Sequence, residues 1–419
     1  MRLHIKNARV VDPASGRDGS GDVFAVDGKI SPEGGKADRV IDAKGLVVAP
    51  GLIDLSARLR EPGYEYKATL ESEMDAAVAG GVTSLACPPD TDPPLDEPGL
   101  VDMLRRRAKA LSRARVYPIG ALTVKLAGES LTEMGQLSDA GCIAFSQANA
   151  PLADTQVLWR ALQYAATFGY PVWLRAEDAG LAKGAVAHDG EIATRLGLPG
   201  IPSFAETIAL ATILELVRAT GARVHICRLS TAGAVELMRR AKEERLPVSC
   251  DVAVHHAHLC ELDLGYFDPH CRLEPPLRSQ RDRDALARAL ADGVVDCLCS
   301  DHTPVDEDGK HLPFAQAEPG ATGLELLLPL TLKWGRGQKL SLAATLARIT
   351  SEPARVLGIA SGRLAAGAPA DLVIFDPDAP FTVAAAKLRS QGKNTPFLGY
   401  ELAGQVRCTI VDGKVVYQS

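Results

Sequence analysis

From about residue 51 to 362 the chain alternates short runs of β-branched or apolar residues with longer stretches of helical periodicity. That alternation narrows the fold to a parallel sheet wrapped by helices. Candidate strands end near Asp54, Pro88, Gly120, Phe145, Leu174, Cys227, Asp251 and Ser300. The spacing predicts helices over 70–79, 100–111, 154–167, 205–220, 232–245 and 281–291, with Thr231 and Asp282 as N-terminal signals for the last two. Eight strand ends match a (βα)8 barrel, although periodicity alone does not fix the number.

Both ends of the chain have a different texture. Residues 1–50 hold three β-like runs, RLHIKNARVVDP, DVFAVDGKI and VIDAKGLVVAP, punctuated by Asp27-Gly28 and Lys44-Gly45. Residues 363–419 repeat the pattern in ADLVIF and VRCTIVDGKVVY, with Asp412-Gly413 as a hairpin turn. The expected organisation is an α/β barrel over 51–362 and one small β-sandwich assembled from 1–50 and 363–419. Two separate appendages would each have a poor core.

Composition excludes several function classes. A net charge of −6 with no long basic block argues against a nucleic-acid surface. No 18-residue apolar span and no signal-peptide block is present, so no membrane partner is expected. The nine cysteines form no paired framework and several fall in strand-like runs, which suits reduced, buried thiols in a cytoplasmic protein. Cys297 and Cys299 share one face of a strand, where a core role is favoured over metal binding. There is no phosphate loop, no dinucleotide fingerprint and no nucleophile elbow.

The stretch Ala49–Gly63, APGLIDLSARLREPG, reads as a buried strand delivering Asp54 and the polar residues after it to a pocket at the strand's C-terminal end. It resembles the first signature of the cyclic amidohydrolases, most closely the dihydroorotases, where the strand runs into Asp-x-His-x-His-x-Arg-x-Pro-Gly. The resemblance continues through AAVAGGVTSL (76–85), RLGLPGIPSFAE (195–206), LSTAGAVELMRRAK (229–242), EPPLR (274–278), SDH (300–302), GLELLLPL (323–330) and GKNTPF (392–397). It implies a TIM-like amidohydrolase barrel and a metal-assisted hydrolysis, in which zinc polarises the cyclic amide and lowers the pKa of bound water.

The residues that such chemistry needs are missing. The family's two strand-one histidines fall on Ser56 and Arg58, and the acidic turn after strand four becomes Ser146-Gln147-Ala148-Asn149. The histidine positions of strands five and six hold Arg175 and Arg228. Only the strand-eight pair, Asp301-His302, is intact. No histidine lies between residues 5 and 187, so the first five strand ends supply no imidazole. A cation among the ligands opposes metal binding. The resemblance therefore implies a degenerate site with no catalytic residue, metal or cofactor expected. Arg58, Arg175 and Arg228 would be neutralised by Asp90, Glu177, Glu274 and Asp301 in buried ion pairs.

Three further readings stay open. A substitute zinc site, needed only by a divergent cyclic amidohydrolase, would use His255, His256, His258 and Asp301. His225, in a strand interior, reads as a structural histidine. Recognition of a small carboxylate or phosphate would use Arg60, with Asp90, Glu274 and His302 around it, although Asp90 and Glu274 stand where the family has asparagines. By resemblance the leading expectation is a non-catalytic homologue that assembles with the catalytic subunit of aspartate transcarbamoylase in pyrimidine biosynthesis, itself a homo-oligomer.

Overall fold

The computed structural model describes all residues, 1–419. Eight parallel strands form the central sheet: Leu52–Asp54, Val82–Cys87, Arg115–Ala121, Ala144–Ser146, Val172–Leu174, Val224–Ile226, Val248–Ala253 and Cys297–Cys299. They pair in sequence order, and each ends within two residues of its expected position. Closure comes just beyond the strand ends, where Ala57 and His302 form a parallel bridge and the Arg58 amide donates to the His302 carbonyl at 2.9 Å. The fold is a nearly closed (βα)8 barrel, as the alternation of runs predicts.

Local chemistry explains why the helices form where they do. Asp154 caps Thr155–Phe168, accepting from the amides of Gln156 (2.7 Å) and Val157 (3.3 Å), and Gly169 ends that helix at φ 73°. Thr231 caps Ala232–Glu243 by accepting from Ala234. At Gln280–Ala291 the cap is Ser279, and Asp282 is its partner in a capping box, returning a bond to the Ser279 amide.

The barrel interior packs a cluster that includes Ile53, Leu55, Ile119, Trp173, Cys297 and Cys299. A larger core joins the outer strand faces to the helices. Strands buried on both faces explain why their sequences read as continuous apolar runs. All nine cysteines are free thiols.

Both termini build a second, eight-stranded sheet. Val47–Pro50 is the seam, running parallel to Arg2–Asp12 and antiparallel to Leu372–Thr382. Its core of Leu3, Ile5, Val10, Ile374 and Ile410, among others, draws on both ends of the chain. Asp27-Gly28 and Asp412-Gly413 turn two of its hairpins with both residues at positive φ, the backbone that two-residue hairpin loops require. No helix is long and apolar enough to cross a membrane.

Candidate functional site

The C-terminal ends of the barrel strands converge on a charged cluster. Alternation after the first strand sends Ser56 and Arg58 toward the barrel mouth. Arg58 is only 5% exposed. Its Nε donates to Asp90 Oδ2 at 2.8 Å, and its Nη1 donates to Asp301 Oδ1 at 3.2 Å and Thr303 Oγ1 at 3.0 Å. Arg228, following the sixth strand, is 4% exposed and brings its Nη1 to the same Asp301 oxygen at 3.1 Å. Its Nη2 donates to Asn149 Oδ1 at 2.5 Å. Ser56 Oγ adds a third donor to Asp301 Oδ1, at 3.2 Å.

The network continues sideways. Asn149 Nδ2 donates to Glu274 Oε2 at 3.0 Å, Glu274 Oε1 lies 3.6 Å from Arg175 Nη2, and Arg175 holds both oxygens of Glu177 at 2.5 and 3.2 Å. An alternating chain of charge thus runs from Asp90 through Arg58, Asp301, Arg228, Asn149, Glu274 and Arg175 to Glu177. Charged groups hidden from water at this density are stable only when paired and hydrogen-bonded. Burial alone would raise the Asp90 carboxyl, but the charge and hydrogen bond of Arg58, with Arg60 and Arg228 nearby, outweigh it and hold Asp90 below the ordinary carboxylate value. Burial opposes the charge on Arg228, yet Asp301 more than compensates and the guanidinium stays protonated.

Zinc chemistry needs neutral imidazoles, thiolates or carboxylates converging on one point. Here two guanidiniums occupy that point and consume the one carboxylate left. Beside them, between Ser56, Arg58, Trp173, Cys227 and Arg228, only about 20 Å³ of space remains. The residues present do not fit a divalent cation.

Other expected site residues are placed elsewhere. Gln147 is buried apart from the cluster, accepting from Thr123 Oγ1 (2.9 Å) and donating to the Leu126 carbonyl (2.8 Å). His302 does not face an anion. Its Nε2 is 2.6 Å from Glu73 Oε2 and its Nδ1 accepts from the Gly323 amide at 3.1 Å, so both nitrogens are engaged in the closed core. Arg60 sits at φ 63°, donates from Nε to the Pro304 carbonyl at 2.8 Å, and lies 5.7 Å from the Tyr64 ring centre. Burial and the neighbouring Arg58 charge lower its pKa.

The substitute metal site does not assemble. His256 Nε2 meets the Pro276 carbonyl at 3.2 Å and His258 Nε2 the Leu330 carbonyl at 2.8 Å, on different sides of the turn. Burial pushes His255 and His256 down to about 3 and His258 to about 4, leaving all three neutral. The one compact group of possible ligands is His225, Cys227 and Asp251. Two of its members are already engaged: His225 bonds Ser249 Oγ (2.8 Å) and Asp251 Oδ2 (2.9 Å), and Asp251 Oδ1 accepts from the Arg228 amide (2.7 Å), while burial pushes the Cys227 thiol up.

Sequence reading missed Thr303, Glu73 and the Asp54–Ser300 pair. Thr303 lies two residues beyond Asp301, past the end of the eighth strand, where Asp301 at φ 46° breaks the alternation that would have placed it. Glu73 sits on the apolar stripe of Leu70, Met74 and Ala77, where an acid is conspicuous. Asp54 accepts from both the amide (2.8 Å) and the hydroxyl of Ser300, and burial raises its carboxyl to about 6 despite those bonds.

The Dihydro-orotase-like family profile matches residues 45–234, and the Amidohydrolase family profile matches 199–417. The chain is 46% identical over its whole length, and the whole length of the relative, to a "Dihydroorotase-like protein" of Pseudomonas aeruginosa. It is 40% identical to a "Dihydroorotase" of Syntrophotalea carbinolica, covering 100% of this chain and 99% of that one. Among solved structures, L-hydantoinase (dihydropyrimidinase) from Arthrobacter aurescens superposes with a TM-score of 0.88 at 26% identity, over 99% of this chain and 96% of that one.

Proposed function

We propose, for a chain that belongs to the dihydroorotase-like amidohydrolases, that it has given up ring-amide hydrolysis and serves as an assembly partner. The observation that carries this reading is the pairing of Arg58 and Arg228 on one oxygen of Asp301, at 3.2 and 3.1 Å. Hydrolysis of a cyclic amide at neutral pH calls for an electrophile at the carbonyl oxygen and a base for the attacking water. The guanidiniums hold their protons and are tied to carboxylates, and Asp301 Oδ1 is taken by three donors. A barrel with a filled mouth keeps its outer faces, and those are what an assembly uses.

The partner we propose is the catalytic subunit of aspartate transcarbamoylase, with this chain itself a homo-oligomer. Support comes from the family resemblance and from full-length similarity to a relative named only as dihydroorotase-like. Mixing the purified chain with that subunit and measuring mass by light scattering during gel filtration tests it. A stable complex larger than either component is expected; separate elution at micromolar concentration contradicts the partner.

A second reading has a specific observation behind it. Several relatives at 40% identity over the full chain carry the name "Dihydroorotase". A divergent enzyme would need a metal held away from the arginine pair or a metal-free acid–base site. Zinc-dependent turnover of dihydroorotate distinguishes it from the assembly reading.

A further inference from the structure

One cavity lies outside the filled barrel centre and is not explained by assembly. It occupies about 430 Å³ beside the end of the fifth strand, within the size range of small-molecule sites. The loop after the fourth strand roofs it, and the helices Thr155–Phe168 and Phe204–Thr220 flank it. Its walls are apolar, with Leu152, Leu158, Leu174, Ile208 and Ile213 among them, and one end is polar, formed by Asn149, Arg175, Glu177 and Glu274.

The charge at that polar end has a definite sign. Arg175 is the one cation lining that end, with Arg272 behind it near both glutamates, and Glu177 takes Arg175 bidentately. Glu274 then remains as surplus: Oε2 accepts from Asn149, whereas Oε1 has no hydrogen bond and only the 3.6 Å approach of Arg175. Asp178 adds a further carboxylate to the lining, against one cation, Lys183, whose side chain is exposed at the rim. A carboxylate or phosphate entering this end meets the unbonded Glu274 oxygen. An ammonium finds a free acceptor.

We propose that this cavity binds a small organic cation, an ammonium group on an apolar body, with the ammonium on Glu274 and the body against Ile208 and Ile213. Glu274 also connects through Asn149 to Arg228, whose Nη2 donates to Asn149 Oδ1 at 2.5 Å, so an occupant touches the end of the ion-pair chain. This goes beyond the assembly reading and does not depend on it.

The test is isothermal titration calorimetry on the full-length chain with three matched probes: phenethylammonium, hydrocinnamate and phenethyl alcohol. Saturable one-to-one binding of phenethylammonium is expected, on the order of tenfold tighter than hydrocinnamate. Glu274→Gln keeps the acceptor for Asn149 and should weaken the ammonium probe by about tenfold while leaving the alcohol within about twofold. Ile208→Trp, at a half-exposed helix position that tolerates size, should block all three probes by filling the wall side. Hydrocinnamate binding as tightly as phenethylammonium overturns the proposal, as does ammonium affinity unchanged in both variants. No saturable ammonium binding up to about 10 mM overturns it too. Thermal unfolding of both variants confirms that they are folded.

Discussion

Asp301→Asn removes one negative charge from the barrel mouth and almost nothing else. The side chains are isosteric, and asparagine tolerates the positive φ of 46° found here. The energetic consequence follows from who shares the carboxylate. Arg58 keeps Asp90 at 2.8 Å, but Arg228 has no other acidic group within 4 Å and keeps only Asn149 and the Glu274 carbonyl. The variant leaves a guanidinium charge buried without a counter-ion next to a second one. Breaking a buried pair in this way costs about 3–5 kcal/mol. Removing the whole set should cost far less. In Arg58→Met/Asp90→Leu/Arg228→Met/Asp301→Asn two charges of each sign disappear, Ser56 keeps an acceptor, and stability should lie within about 2 kcal/mol of the parent. Urea unfolding followed by tryptophan fluorescence reads both, because Trp173 packs in the barrel interior. A single variant within about 1 kcal/mol of the parent, or a quadruple variant as unstable as the single one, refutes the view that these charges are held by mutual compensation.

Further consequences can be measured independently. Asp54, raised to about 6 by burial, binds its proton more tightly folded than unfolded. Its contribution is therefore complete below about pH 4 and is lost as pH rises through 6, so Asp54→Asn should flatten the stability profile over that window relative to the parent. Asp90 acts in the opposite sense. Its lowered carboxyl contributes above the ordinary carboxylate value and is lost in more acidic solution, and Asp90→Asn should reduce the steepness of acid unfolding. His255, His256 and His258, at about 3, 3 and 4, should show no ring-proton titration by NMR between about pH 7 and pH 5. Their neutrality stabilises the fold above their unfolded pKa of about 6.5, and that stability is lost as pH falls. Ser56→His/Arg58→His should restore neither zinc binding nor hydrolysis, since Arg228 still occupies the cluster; substantial activity in that variant contradicts a site disabled at several positions.

The barrel was legible because strands buried on both faces write themselves as uninterrupted apolar runs, and because capping groups such as Asp154 and Thr231 mark helix starts locally. The placement of Ser56 and Arg58 at the barrel mouth was legible for a similar reason: they sit at alternate positions after a strand, and alternation fixes the side of the sheet. Partners distant in sequence were not legible. His302 looked available as a neighbour of Asp301, but its imidazole turns to Glu73, which lies 229 residues away in sequence. The group at 255–258 suggested a metal site on spacing alone. The 3-10 turn over Val254–Ala257 leaves the His255 and His256 rings packed on each other at 4.7 Å, while His256 and His258 bond separate carbonyls, of Pro276 and Leu330. The lateral chain through Asn149 and Glu274 depends on loops from the fourth and seventh strands meeting over the mouth, and no local pattern encodes that meeting.

Metal content measured together with dihydroorotate turnover tests the account at its centre, on protein purified without chelators and supplied with zinc. The ion pairs of Arg58 and Arg228 with Asp301 predict no stoichiometric metal and no turnover above background. Stoichiometric zinc accompanied by zinc-dependent hydrolysis contradicts the filled-site account.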